Sequence, residues 1–279
     1  RFFSFFGCSS LAHLVIGANS VASYSSLSAF SGTPILRGAG AVYVPQSQLN
    51  AYKANGEWGR FCILPTSAYS ASTFETTSET WVQIEANGGE NLVVGDRKSV
   101  LFGQTSYMAV LVGKQKDKLV GGGKANMTWI LQNEYSTHKY NTTATTEGGY
   151  AASELRTYIN EDILPTFELK DLIKQVVKIS NTYENGAIAK NGQTSNEKLW
   201  IPSAQEMFGG TTYETDGCTY SDYFRSATAR IKKSGNGSDA YYWLRTTGGA
   251  TTFAYITNSG NMGSNNATYN SNVVLGFCL

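Results

Sequence analysis

"YYWLRTTGGATTFAYITNSGNMGSNNATYNSNVVLGFCL", residues 241–279, is the stretch on which the reading of the fold turns. Its two ends, "YYWLR" and "VVLGFCL", have the apolar density of core strands. Between them, residues 246–272 are mostly Thr, Asn, Ser, Tyr and Gly, with no charged side chain. Within that span "TTFAYIT" alternates, which sets Phe253 and Tyr255 on one face of a strand and Ala254 and Ile256 on the other. "NSGN" reads as a turn. Trp243 is expected in the core. Arg245 is expected to pair with a buried carboxylate or carbonyl, because an unpaired buried guanidinium is costly. Gly276 marks a point where a side chain would clash or a bulge is wanted.

Working back from this segment, residues 92–279 read as one domain. "SVLFG", "YMAVLVGKQ" and, after the Gly121-Gly122-Gly123 turn, "NMTWILQNEY" are strands. "GGYAASELRTYINEDIL" is a helix with Ser153 as N-cap and Leu155, Tyr158, Ile159 and Ile163 at helical spacing. Pro165 stops it, and "FELKDLIKQVVKI" offers a second helix with Leu169, Leu172, Ile173 and Val176 on one face. "KLWIPSAQEMFG" holds a strand end and a short helical turn. Two helices set between β-hairpins, with the first and last strands near each other, make an α+β fold.

Residues 66–91 are Ser/Thr-rich and weakly periodic, and read as a linker in which Trp81 and Val82 have the chance of an edge strand. Residues 1–65 alternate short apolar pieces with Ser/Gly turns, and Leu11, Leu14 and Ile16 have the spacing to stack as in a solenoid. "YVPQSQLNAYKANGEW" enters a short helix carrying Leu49, Tyr52 and Lys53. "LVIGANSVASYSSLSAFSGTPI" followed by "VYVPQSQLNAYKANGEWGRFCILP" resembles the final turn and cap of bacterial BspA-type leucine-rich repeats. That resemblance implies further repeats upstream. The start "RFFSFFGCSS" has no Met and no signal-peptide pattern, and reads as a processed product or a chain entered mid-domain.

Composition narrows the function classes. The chain of 279 residues is 41% hydrophobic, so it can build a core without staples, yet only 15% charged, with a net charge of +1. Without a Lys/Arg block to follow a phosphate backbone, no nucleic-acid partner is expected. No run of 18 apolar residues occurs, so no membrane span is expected. Cys8, Cys62, Cys218 and Cys278 form no C-x-x-C pair, and with only His13 and His138 beside them no zinc site is expected.

Catalytic signatures are equally thin. "VGGGKAN" lacks the phosphate-loop pattern and suits a hairpin turn. His138 has no carboxylate at useful spacing, and Glu161 and Asp162 fit a solvated helix end. Glu214 and Asp216 do not match a calcium loop, and Ser203 and Ser234 lack a nucleophile elbow. Sequons at Asn126, Asn141, Asn236 and Asn266 arise by chance in so Asn/Thr-rich a chain. No residue is assigned to catalysis, a metal or a cofactor.

The ordered series "ELRTYIN", "LPTFELKDLIKQV", "KLWIPSAQEMFG", "YFRSATARIKK", "YYWLRT" and "LGFCL" resembles the C-type-lectin-like domain of gut bacterial and phage surface proteins. The resemblance covers about 92–279. It implies a fixed scaffold whose last strands and loops form a ligand-facing surface. It further implies the class of variable proteins rewritten by diversity-generating retroelements at adenines. Asn codons altered in that way lead to Tyr, Ser, Thr, Asp, Ala and Gly, which suits residues 246–272. The same residue types dominate antibody combining loops, where Tyr gives contact area at low entropic cost.

On this reading Tyr241, Tyr242, Thr246, Thr247, Thr251, Tyr255, Thr257, Asn258, Asn261, Asn265, Asn266, Thr268, Tyr269, Asn270 and Asn272 bind ligand. Trp243, Leu244, Arg245, Gly276 and Phe277 are the frame. The implied role is adhesion without catalysis, on a phage tail (virion) or a bacterial cell surface. The implied partner is a bacterial cell-surface protein or glycan, and several copies acting together as a homo-oligomer are allowed for. The calcium-dependent sugar motifs of true lectins are absent, so no calcium is expected. Two alternatives remain: a formylglycine-generating type of enzyme, for which Cys218 and Cys278 are not recognisably arranged, and a structural component without a ligand.

Overall fold

The computed structural model describes residues 5–9, 11–18, 20–24, 26–36, 40–66, 75–210, 213–214, 218–235 and 237–279, with backbone alone at 191. Asp216, Asn236 and residues 67–74 of the expected linker lie outside the described residues. The chain divides into two units, Arg1–Thr76 and Thr77–Leu279.

In the first unit, β1 (His13–Val15), β2 (Ala41–Val44) and β3 (Ile63–Pro65) form a parallel sheet in that order. The "AVYV" of β2 is buried at all four positions, as a central parallel strand requires. The crossover from β2 to β3 carries α1 (Leu49–Ala54), which drives Tyr52 into a core with Phe30, Trp58 and Phe61. The polar ends of both large rings are satisfied. Trp58 Nε1 donates to the Ala22 carbonyl, and Tyr52 Oη accepts from Ala22 N at 2.8 Å. Leu11, Leu14 and Ile16 pack on this core half-buried.

The second unit begins inside the stretch expected to be a linker. Thr80 and Gln83 form a reciprocal capping box, and α2 (Trp81–Ala86) follows it, so Trp81 and Val82 are helical rather than an edge strand. Trp81 packs edge-on against Trp129 at 4.9 Å, which ties this helix to the main core.

Beyond α2 come β4 (Arg97–Phe102), β5 (Thr105–Lys114), β6 (Met127–Leu131) and β7 (Ser136–Lys139). Ser153 then caps α3 (Glu154–Tyr158), its Oγ accepting from Arg156 N at 3.1 Å. The helix continues as a π turn over Ile159–Ile163, burying Leu155, Ile159 and Ile163, and ends in a 3-10 turn holding Pro165.

The second expected helix does not form. Phe167 bridges to Phe102 and Glu168 accepts from Leu101 N at 2.7 Å, which pins this backbone to the edge of β4. A few turns bury Leu169 and Ile173. The β-branched run after them then enters β8 (Val176–Glu184), which pairs with β9 (Ala187–Glu197).

After α4 (Ala204–Phe208) and α5 (Ala227–Arg230), the chain closes with β10 (Tyr242–Thr247), β11 (Thr252–Ile256), β12 (Met262–Asn266), β13 (Asn270–Val273) and β14 (Gly276–Cys278). Two sheets result. One runs β14-β6-β5-β4, so the first and last strands share a sheet but lie at its opposite edges. The other runs β12-β11-β10-β13-β7, with β10 and β13 parallel. The apolar "VVLGFCL" is thus shared between two sheets. Val273 ends β13, while Gly276 and Phe277 begin β14 against Ile130 and Trp129. A Cβ on Gly276 would lie 2.5 Å from the Trp200 ring, so the glycine admits that indole. The unit is mixed α+β and mostly sheet.

Candidate functional site

The frame beneath the C-terminal strands is a buried ion network. Ser203 and Glu206 make a capping box that opens α4 and aims the Glu206 carboxylate inward. There Glu206 Oε1 accepts from Lys178 Nζ at 2.8 Å and from Arg245 Nη2 at 2.9 Å. Lys178 reaches in from β8, binds Asp117 as well, and lies 3.3 Å above the Trp200 ring. Tyr220 Oη donates to Asp117 at 2.9 Å, and the Thr128 hydroxyl bonds the same carboxylate. Arg245 also donates to the Ile201 carbonyl and to Ser180 Oγ.

Electrostatics follow this pairing. Burial disfavours the Asp117 carboxylate, but Lys178 and the two hydroxyls outweigh it and hold the group down at about 2. Burial opposes charge on Glu206, Lys178 and Arg245 too. Their mutual attraction prevails, leaving the carboxylate below, and the two cations above, their ordinary values. All four groups stay charged.

Asp117, Glu206 and Cys218 place ligand atoms within 4.8 Å of one another, the arrangement that a soft divalent metal would use. The Lys178 ammonium already bridges the two carboxylates, and burial pushes the Cys218 thiol up, away from the thiolate a metal needs. The chemistry is that of a paired ionic brace. A cavity of about 530 Å³ opens beside it, lined by Lys118, Lys124 and members of the brace. Cys278 is fully buried and its thiol is likewise pushed up by burial.

Beside this frame the five-stranded sheet and its flanks bring together six of the fifteen residues expected to meet a ligand: Tyr241, Tyr255, Asn265, Tyr269, Asn270 and Asn272. Tyr241 and Tyr269 are 44% and 57% exposed, while Trp243 beneath them is fully buried and donates through Nε1 to the His138 carbonyl at 3.0 Å. Tyr255, half-buried, is tilted against Tyr241 at 5.6 Å and lies over Gly263, where a Cβ would come within 2.9 Å of its ring. These rings, with Asn265, Asn270 and Asn272, enclose a shallow cavity of about 430 Å³ whose remaining walls are Thr137 and Ser271. Among the described residues, no acid or base stands in its lining apart from the tyrosine phenols. Asn272 Nδ2 donates to the Tyr241 carbonyl at 2.6 Å, which fixes one amide.

Three of the expected contact residues are not on this surface. Tyr242 is fully buried and donates to the Arg230 carbonyl at 2.7 Å. Thr246 is buried, its hydroxyl donating to Glu214 at 2.7 Å and accepting from Ala204 N. Thr247 is buried beside Asn181, whose Oδ1 accepts from Thr247 N at 2.7 Å. These threonines lie in a strand covered on both faces, where partners on α4 and β8 satisfy their polar atoms.

Thr257, Asn258 and Asn261 form the β11–β12 turn. There Asn261 N donates to Thr257 Oγ1 at 3.1 Å, and Arg230 Nε holds the Gly260 carbonyl at 2.8 Å. Asn266 and Thr268 form the next turn, Thr268 N donating to Asn266 Oδ1 at 3.0 Å. Thr251 is exposed outside the cavity. Of the frame residues, Trp243, Leu244, Arg245, Gly276 and Phe277 are all buried. Phe253 is buried as well, stacked on Tyr140 at 3.4 Å, so β11 is covered on both faces except at Thr252 and Tyr255. His138 lies on β7 and stacks on Tyr158 at 4.2 Å, and Glu161 and Asp162 are exposed at the helix end.

Of the brace, whose members come from residues 117, 178, 206, 220 and 245, sequence reasoning anticipated the pairing of Arg245 with a buried carboxylate and carbonyl and missed the other members. For those, a signal was Ser203-x-x-Glu206, a capping box directly after an apolar run. It also missed Lys232, a lysine only 4% exposed whose Nζ donates to the Leu131 carbonyl at 2.9 Å. Burial, with Arg97 adding to it, pushes Lys232 down to about 7 from 10.5. The unfolded chain holds this proton up to the higher value. Stability therefore rises with pH between about 7 and 10.5, and the whole penalty is present below about 7. Lys232→Met is expected to gain about 2 kcal/mol at pH 6 and progressively less towards pH 10, read by urea unfolding across that range.

A family model described as Domain of unknown function (DUF6273) matches residues 126–276, more than half of the chain. No curated protein and no solved structure matches.

Proposed function

Because the chain belongs to the DUF6273 family, whose description names no activity, we propose from the site itself that the second unit is a non-catalytic recognition module. In this reading it is a C-type-lectin-like domain that binds a molecule on a bacterial cell, and the first unit is the end of a leucine-rich-repeat array. The parallel β1-β2-β3 ladder supports the latter. The setting is a phage tail or a bacterial surface.

One observation carries the reading. Two exposed tyrosines and three asparagines share an uncharged concavity beside β10, a strand buried at every position. Rigid aromatics beside adaptable amides are the combination that recognition loops favour. Side chains at Tyr241, Tyr269 and Asn270 are exposed, so exchanging them disturbs little of the core. That tolerance supports diversification by a retroelement. The thiol-enzyme alternative draws less support, because burial keeps both Cys218 and Cys278 towards the protonated form.

The test is binding of labelled protein to intact bacterial cells. Tyr241→Ala/Tyr269→Ala is expected to weaken binding at least about thirtyfold, with its melting temperature unchanged. Equal binding by wild type and variant overturns the reading.

A further inference from the structure

We infer that the ligand of the Tyr241/Tyr269 cavity is a neutral glycan; this rests on the recognition reading above and names its ligand class. Size comes first. A protein partner of standard size engages about 20–30 residues on each side, whereas nine of the described residues line this concavity. Its volume of about 430 Å³ falls in the range of sites for small ligands, roughly 300–1,000 Å³. What binds here is one or two rings of a chain, not a protein face.

Charge comes next. Among the described residues, the lining offers phenols, amides and hydroxyls and no carboxylate, ammonium or guanidinium. An anionic group entering it would lose hydration with no paired cation in the wall, and a cation would lose it with no carboxylate. Lys139 stands opposite Asn270 in the strand register, outside the lining, so a polyanion is the rival to be tested.

Shape then selects among neutral ligands. Tyr241 and Tyr255 meet at 58° and 5.6 Å, so they leave no parallel slot for a flat base or other planar ring. A saturated sugar ring presents apolar C–H faces to the exposed phenol rings and hydroxyls around its rim. Each asparagine amide offers a carbonyl acceptor and an NH₂ donor, which matches a hydroxyl that both donates and accepts. Asn265 and Asn270 stand on β12 and β13, on opposite sides of Tyr241 and Tyr255, so amides flank the exposed rings on both sides.

The experiment uses the whole chain on a panel of intact bacterial cells, untreated, oxidised with mild periodate (which cleaves vicinal diols), or digested with protease. Cells that bind the protein are expected to lose at least about tenfold in binding after periodate and to keep it after protease. Neutral malto-, cello-, manno- and chito-oligosaccharides are then titrated as competitors beside polygalacturonate. One of the neutral series is expected to compete, and Tyr269→Ala to abolish that competition. Loss with protease but not periodate, or competition by polygalacturonate alone, overturns the glycan inference and leaves recognition standing. Absence of binding to any untreated cell overturns the recognition reading and this inference with it.

Discussion

Glu206→Gln is expected to cost the second unit about 3–5 kcal/mol, the range found when one member of a buried ion pair is removed. The substitution keeps volume and the α4 cap geometry but leaves Lys178 and Arg245, both nearly fully buried, sharing one carboxylate fewer. Asp117 is the single remaining anion against Lys178, and Arg245 is left with carbonyl and hydroxyl partners. Urea unfolding followed by tryptophan fluorescence reads the loss, since Trp200 lies directly under the Lys178 ammonium. A loss under about 1 kcal/mol would show that the network is easily re-formed. The acid limb follows with its sign. Asp117 and Glu206 are held below their ordinary values, so their contribution is complete above about pH 4.5. It is lost as pH falls towards about 2, and Glu206→Gln should flatten that limb.

Trp243→Ala is the second large effect, at about 3–5 kcal/mol for truncating a fully buried indole. Its ring packs edge-on against Tyr140 and Tyr255, and its N–H holds β7 through the His138 carbonyl. The loss should therefore spread to the cavity floor and the β7 edge together. Tyr269→Ala, one strand away and 57% exposed, is expected to change stability by no more than about 0.5 kcal/mol. Thermal and urea melts of the two variants side by side test the division between frame and contact residues. Equal losses would place Tyr269 in the frame.

Much of this division can be read in the amino acids, and its failures are instructive. Apolar runs such as "MTWIL" and "GFC" announce buried strands because a covered strand has no polar alternative. Ser153 announces its helix because an N-cap is a local interaction. Thr246 and Thr247 mislead, since threonine serves equally on a wet surface and inside a satisfied network. Only Glu214, Ala204 and Asn181, far off in sequence, decide between the two. "FELKDLIKQVV" misleads for a related reason. Its helical spacing is genuine, but the pairing of Phe167 with Phe102 and of Val176 with Leu119 outweighs local preference. Of the brace, only the need of Arg245 for a buried partner is legible; which carboxylate meets it is not, because no two of the charges lie close enough in sequence to suggest a pair.

The strand pairing also governs when this unit can complete itself during synthesis. Phe277 joins Trp129, about 150 positions earlier, and β13 closes on β7 across a similar span. Until β13 and β14 leave the ribosome, β6 and β7 each keep an open ladder, and the hydrophobic centre lacks a wall. Assembly is therefore slow and late, with a window in which bare strand edges invite self-association before the final segment seals them.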